Sequence, residues 1–193
     1  MSRLRLSARL RALSRKRLKI GMLIFRRIIA NFLRSRKLKG EPIVQRTLIL
    51  LKPDAVQRRL VGEIIQRFER KGLRLLGLKL VQAGRNLAEK HYAVHKGKPF
   101  YDSLLKFLVS GPTVAMVWEG REAVLVARTL MGPTDGTKAA PATIRGDFAI
   151  SIQNNLVHGS DSVENAQAEI ALWFRPDELV AFQPTDAAWI EAG

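Results

Sequence analysis

From residue 46 onward the chain switches between two spacings of apolar residues, and the switches mark out its elements. "RTLILL" (46–51) is a short continuous apolar run, which predicts a buried strand. In "VGEIIQRFERKG", Val61, Ile64, Ile65 and Phe68 fall on one helix face and Gly72 supplies a stop. "LRLLGLKLVQA" (73–83) predicts a second strand. "NLAEKHYAVHKG" and "PFYDSLLKFLVSG" read as two short helices, the first opened by Asn86 and the second following Pro99. "PTVAMVWEG" (112–120) predicts a third strand, and "REAVLVARTLMG" a helix closed by Gly132. The segment "GPTDGTKAAPATIRGDF" has no periodicity and is about as long as ordered loops become. "AISIQNN" (149–155) predicts a short fourth strand, and Asp161 with Glu164 forms a D-x-x-E opening for the helix in "SVENAQAEIALWF".

Two β-α-β passes with extra helices between them point to an α/β sandwich of the split-βαβ, ferredoxin-like kind. Periodicity leaves the strand order open, and other small α/β sandwiches stay compatible with it.

Length changes this picture little: 193 residues suffice for one domain with a real core and an appendage. Charge changes it more. Of the 33 Lys and Arg, 14 lie in residues 1–40, where there is no acid. The other 19 nearly balance all 17 acidic residues, so the whole-chain excess of +16 is no argument that the body binds nucleic acid. "KGEPIV" supplies Gly, Pro and the first acid, which sets a basic extension at 1–43 against a domain at 44–193. With no cysteine there is no disulfide frame, thiolate metal site or cysteine nucleophile, which suits a reducing, cytoplasmic setting. The most apolar stretch of the extension, "GMLIF" and "IIANFL", is cut by Arg26 and Arg27 and falls short of a membrane span.

Chemistry narrows to the three histidines. His158 lies in "NNLVHGSDS", a polar, Gly-containing turn just before a helix, where a side chain is positioned rather than buried. His91 and His95, in a polar helix, read as surface residues. Taken singly, Glu169 and Arg128 would be solvated helix residues, Lys52, Thr134 and Asn155 surface polar groups, and Tyr92 and Phe100 core aromatics.

Taken together and in order, they resemble the nucleoside diphosphate kinase family from about Arg46 to Trp189. The carriers are N-x-x-H-G-S-D-S (Asn155 to Ser162) with Glu169 downstream, "LKPDAVQRRLVGEII", "HY", "KPFY", "SGPTVAMVWEG" and "TIRGDF". The resemblance implies a four-stranded antiparallel sheet and transfer of a γ-phosphate between nucleotides through a phosphorylated histidine, a covalent route that splits one transfer into two. It assigns His158 as nucleophile and Glu169 as the acceptor that fixes the imidazole. Lys52 and Tyr92 are placed near the transferred phosphate, and Arg128, Thr134 and Arg145 in the phosphate-binding set. Asn155 is assigned to the ribose, Phe100 to the base as a stacking surface, and Leu104 to packing beside it. It further implies ATP and other nucleoside tri- and diphosphates as substrates, Mg²⁺ carried by their phosphates rather than by a protein cage, and a homo-hexamer or tetramer. The C-terminal "DELVAFQPTDAAWIEAG", long enough for subunit contacts, favours the hexamer. Ala142 stands where the family commonly has Gly, and "DGTKAA" and Gln153-Asn154 also depart from its pattern; none of these removes a catalytic group. A rival of another class is a nucleotide-binding or scaffold protein that kept the fold and lost the reaction, tethered by the basic extension. The intact Lys52, Arg128, Arg145, His158 and Glu169 argue against it.

Residues 1–40 lie outside the resemblance. They fit contact with an anionic membrane surface, non-specific nucleic-acid binding, or an organelle transit peptide. A fourth reading is that they are not natively translated: "KGE" is compatible with an upstream ribosome-binding site, and Val44 with an alternative start.

Overall fold

Strand β1 (Val44–Leu51) occupies an inner position of a four-stranded sheet, and its sequence shows why. Residues 47–51 are all buried, because the sheet is covered on both faces; such a strand needs no polar alternation. The structure, a computed structural model, describes residues 44–190. The expectations for residues 1–43 lie outside the described residues.

After β1 come α1 (Pro53–Gln57), α2 (Val61–Arg70) and β2 (Arg74–Gln82). Next are α3 (Arg85–His91), a 3-10 turn (Ala93–His95), α4 (Tyr101–Val109) and β3 (Pro112–Arg121). The described residues end with α5 (Ala123–Met131), a 3-10 turn (Gly136–Lys138), α6 (Ile144–Phe148), β4 (Val157–Gly159), α7 (Val163–Trp173), a 3-10 turn (Pro176–Glu178) and α8 (Ala187–Ile190). The strand order is β2-β3-β1-β4 with every neighbouring pair antiparallel. That is the expected split-βαβ architecture: β3 separates β1 from β2, and β1 separates β3 from β4.

Helices α2 and α5 cover one face, packing Ile64, Phe68, Ala127 and Met131 against Ile49, Leu51, Met116 and Trp118. Phe68 and Trp118 are fully buried, with ring centroids 5.5 Å apart. Burying side chains of this size contributes about 1.5–3 kcal/mol each. On the other face, α3, α4 and α7 bring Ala88, Leu105, Leu108 and Trp173 onto Leu48, Leu50, Ala115 and Val117. The sheet thus holds β4, and with it His158, between two packed layers.

Several element boundaries differ from expectation. No strand forms over 149–155; Ile150 and Ile152 are exposed, and the strand lies two residues beyond, at Val157–Gly159. Only those three residues register against Ile49–Leu51. The cap of α7 is Ser162, whose Oγ accepts from the Asn165 amide at 3.1 Å, rather than an Asp161–Glu164 box. Asp161 instead accepts from Asn165 Nδ2 at 2.7 Å. Helix α3 opens one residue before Asn86, with Gly84 as its cap. Gly132 closes α5 at φ +77°, as its position predicted. The aperiodic loop holds a 3-10 turn and the one-turn α6, capped by Thr143 Oγ1 accepting from the Gly146 amide. Both are too short to leave a periodic trace.

Candidate active site

Strand β4 and helix α7 build the corner that holds His158. In β4, His158 registers against Leu50, and its side chain stays 26% exposed at the wall of a cavity of about 740 Å³. One and a half turns into α7, Glu169 returns beneath it, and the His158 Nε2–H donates to Glu169 Oε1 at 2.9 Å. A carboxylate can only accept, so this bond fixes the proton on Nε2 and the lone pair on Nδ1. Nδ1 has no hydrogen-bond partner among the described residues. Ser160 Oγ–H donates to Glu169 Oε2 at 2.5 Å and accepts from the Leu48 amide at 3.2 Å, so both carboxylate oxygens are engaged. Burial pushes the Glu169 carboxyl up, but the hydrogen bond and positive charge available from His158, with Ser160, outweigh it and hold the group below its usual range. Gly159 follows for packing reasons: a Cβ there would meet Met131 Sδ at 2.7 Å and Ile49 Cδ1 at 2.9 Å.

The turn entering β4 is strained. Leu156, fully buried, has φ +70°, and the Val157 amide donates across it to the Asn155 carbonyl at 2.8 Å. This is a γ-turn of the rare positive-φ kind. Such a conformation costs a non-glycine residue about 1–3 kcal/mol, and strain of this kind gathers where a site must be held in one geometry.

All ten residues singled out from the sequence line the one cavity: His158, Glu169, Lys52, Tyr92, Phe100, Leu104, Arg128, Thr134, Arg145 and Asn155. They divide into two kinds. Lys52, just past β1, donates from Nζ to Asn155 Oδ1 at 2.6 Å and to the Gln153 carbonyl at 2.8 Å. Burial pulls its ammonium down to about 8, against the charge of Asp54, which raises it. Asn155 Nδ2 donates to the carbonyls of Thr134 and Ile152 at 2.8 and 2.7 Å. Arg145, on α6, donates to the carbonyls of Asn155, Gly132 and Val157, and burial pulls it down to about 10. A guanidinium has five N–H bonds, so two remain for a ligand. Burial pushes the Tyr92 phenol up to about 12. Against these, Arg128 and Thr134 are exposed, and Phe100 is 48% exposed with Lys98 Nζ 5.7 Å from its ring centroid.

The sequence reading of His91 is corrected by the structure. It is not a surface residue: its ring is fully buried, it accepts at Nδ1 from the Trp173 indole at 3.3 Å, and it meets the His158 ring edge-on at 4.5 Å. Burial, and then the neighbouring His158, pull it down to about 3, which keeps it neutral near pH 7. The signal was present, because Leu87, Ala88, His91 and Tyr92 lie at helical spacing on one stripe. His95 is half-buried on the same cavity wall, its ring 5.7 Å from Phe100. Two further contributors went unassigned: Ser160, and Asp54, whose Oδ2 accepts from the Leu156 amide at 3.0 Å.

Two acids line the cavity, Glu169 and Asp161. The first has both oxygens occupied and the second is tied to Asn165, so neither begins a carboxylate cage for a cation. His91, His158 and Glu169 bring ligand atoms within 4.8 Å of one another, but His91 Nδ1 and the carboxylate are committed to other hydrogen bonds. Among the described residues, no helix is long and apolar enough to cross a membrane.

Comparison with known proteins agrees with this arrangement. The family model described as nucleoside diphosphate kinase matches residues 45–179. A nucleoside diphosphate kinase of Cyanothece sp. is 55% identical over 147 residues, covering 76% of this chain and 99% of that protein. Nucleoside diphosphate kinase 3 of Homo sapiens is 55% identical over 146 residues, 76% of this chain and 86% of that protein. A solved halophilic nucleoside diphosphate kinase from Halobacterium salinarum, in complex with CDP, superposes with a TM-score of 0.75 at 47% identity, covering 77% of this chain and 99% of that one. Agreement of this extent shows that the chain belongs to the nucleoside diphosphate kinase family.

Proposed function

We propose that this chain moves the γ-phosphate of a nucleoside triphosphate to a nucleoside diphosphate in two half-reactions through His158. The observation that carries the reading is the pairing of His158 Nε2–H with Glu169, which leaves the Nδ1 lone pair available within the cavity. In the first half-reaction Nδ1 attacks the γ-phosphorus. The Nδ1–P bond forms, the bond from that phosphorus to the bridging oxygen breaks, and the nucleoside diphosphate leaves with the electron pair. In the second, a terminal oxygen of the incoming diphosphate attacks the same phosphorus and the imidazole recovers its lone pair. The Nε2 proton stays against Glu169 throughout, where the carboxylate stabilises the positive charge that develops on the ring.

Phosphoryl transfer draws mainly on positioning and charge neutralisation. Lys52, Arg128 and the two spare N–H bonds of Arg145 supply cationic donors, while Thr134 and Tyr92 offer hydroxyls. Phe100 and Leu104 form an apolar slot for the base, and stacking with little reading of base edges gives broad base tolerance. Asn155 reaches the ribose in this reading by exchanging one of its carbonyl partners for a sugar hydroxyl. Mg²⁺ supplies further neutralisation when it arrives bound to the nucleotide phosphates. Self-assembly, as a hexamer or tetramer, is supported by exposed Leu78 and Leu80 on the edge strand β2 and by Val180 and Phe182 near it. Residues 44–193 are the working domain, in a cytoplasmic setting, and the basic extension serves attachment to anionic lipid or nucleic acid.

The test is incubation with γ-labelled ATP, using both the full chain and one beginning at Val44. Both should carry an acid-labile, base-stable phosphate on His158 that any nucleoside diphosphate discharges, and His158→Ala should lose it entirely. Label on Ser160 would overturn the mechanism. A shortened chain unable to take up label would overturn the domain assignment.

A further inference from the structure

The Leu156 peptide unit, two residues before the nucleophile, is held at both ends. Its carbonyl accepts from the Lys52 amide at 2.8 Å, and its N–H donates to Asp54 Oδ2 at 3.0 Å. Between these bonds sits the positive φ of +70°. Asn155 precedes this turn and His158 follows it, so the angle at Leu156 sets how both project. The other carboxylate oxygen, Asp54 Oδ1, is sealed from solvent and has no hydrogen-bond partner among the described residues. A helix needing only an acid in its first turn would not require an oxygen kept there unpaired, since a solvated carboxylate serves the helix dipole as well.

We infer that Asp54 is a positioning residue for phosphoryl transfer: it holds the positive-φ turn that aims Asn155 and His158, and places a negative charge beside Lys52. The inference rests on the transfer reading above. Asp54 does not touch the reacting atoms; it acts through the Leu156 amide and through Lys52.

The charged and titratable groups around Lys52 are few. Asp54 on α1 raises its affinity for a proton and Arg145 on α6 lowers it, while burial lowers it most. Tyr92, beyond α3, lines the same cavity and also feels the Asp54 charge, with its phenol neutral up to high pH. Glu169 on α7 and His158 on β4 are bonded to each other. From α4 comes only the uncharged Phe107 ring, 5.0 Å from Nζ, and Asn155 and Gln153 are neutral acceptors. Asp54 is therefore the carboxylate that most directly keeps Lys52 protonated, and removing its charge favours the neutral amine.

Two variants separate the two actions. Asp54→Asn keeps an acceptor oxygen of similar size but drops the charge. Its kcat near pH 6.5 should fall less than that of the Ala variant below, while the alkaline limb of kcat/KM moves down by about one pH unit. Asp54→Ala drops both, and kcat should fall by about ten- to a hundredfold at every pH, the scale of losing an orienting partner. Hydrogen exchange at the Leu156 amide, which does not depend on activity, should quicken by at least about tenfold in the Ala variant and stay slow in the Asn variant. A wild-type pH profile for Asp54→Asn, together with unchanged Leu156 exchange and kcat in folded Asp54→Ala, would overturn the inference. If Asp54→Ala does not fold, the Asn profile decides alone. A wild-type chain that takes no phosphate from ATP overturns the transfer reading instead, and Leu156 exchange then still decides whether Asp54 holds the turn.

Discussion

The two sides of the cavity are built on opposite terms. On the side of β4, α6 and α7, the polar side chains are committed within the protein. Glu169 serves His158 and Ser160, Asn155 serves Lys52 and two carbonyls, and Arg145 serves three carbonyls. On the side of Phe100, Arg128 and Thr134, the residues are exposed, and their own side chains make no hydrogen bond to the protein among the described residues, although Asn155 holds the Thr134 carbonyl. A committed wall loses little freedom when the reaction occurs, which is how fixed dipoles stabilise developing charge. An uncommitted wall contributes to ligand affinity but must be ordered on each binding event. Effects on kcat and on KM should therefore separate by location.

The largest effect is expected in the committed wall. Glu169→Gln keeps the size of the side chain but weakens its hold on the Nε2 proton. Phosphorylation of His158 should slow by about ten- to a hundredfold with nucleotide affinity nearly unchanged; an equal loss in affinity, read by rapid-quench and binding assays, would erase the distinction. Next in size, Phe100→Ala should act through KM. Losing one base-stacking surface costs about 1–3 kcal/mol, a rise in KM of about five- to a hundredfold, with kcat held within about threefold. A change confined to kcat would place Phe100 with the reactive corner.

The committed wall also titrates. Lys52 ionises in the folded chain near 8 rather than at its ordinary 10.5. On the role proposed for Lys52, activity should decline as pH passes about 8 and its charge is lost. Stability should move the other way: between about 8 and 10.5 the unfolded chain binds the proton more tightly, so raising the pH relieves the cost of burying the charged amine. Above its ordinary 10.0, Tyr92 opposes this, because its phenol stays protonated in the fold up to about 12. Stability should thus rise between pH 8 and 10 while activity falls, and a parallel fall of both in denaturant titrations would contradict the assignment of Lys52.

The smallest effect is expected away from the cavity. Ala142 has φ +70°, where a Cβ is unfavourable. Ala142→Gly should stabilise the chain by about 1 kcal/mol in thermal unfolding, with kcat unchanged. Two positive-φ residues are then distinguished by role, one strained at the reactive turn and the other in an exposed loop.

Much of this was legible beforehand, and particular residues show the limit. The buried run of β1, the face of α2 and the stop at Gly132 follow from periodicity and backbone chemistry, which act over a few residues. The ten cavity residues named from the sequence were recognisable because an ordered set of motifs carried them, although none was persuasive alone. His91 was misjudged because a polar residue name outweighed its place on an apolar stripe. The fourth strand was placed too early because Ile150 and Ile152 look like strand residues, while pairing is decided by which residues meet Ile49–Leu51. Asp54 carried no local sign of its bond to Leu156, 102 positions away in sequence.

From the sequence alone came the elements with strong short-range signals, the contrast in charge between residues 1–40 and the rest, and the motif residues that line the cavity. Only the tertiary structure decided which nitrogen of His158 is left free, how Lys52, Asn155 and Arg145 are already engaged, and that Leu156 is strained. Those properties arise where β1, α6, β4 and α7 converge. Hydrogen bonds and burial there join residues with no local relation, and a buried polar group must take whichever partner the fold brings to it.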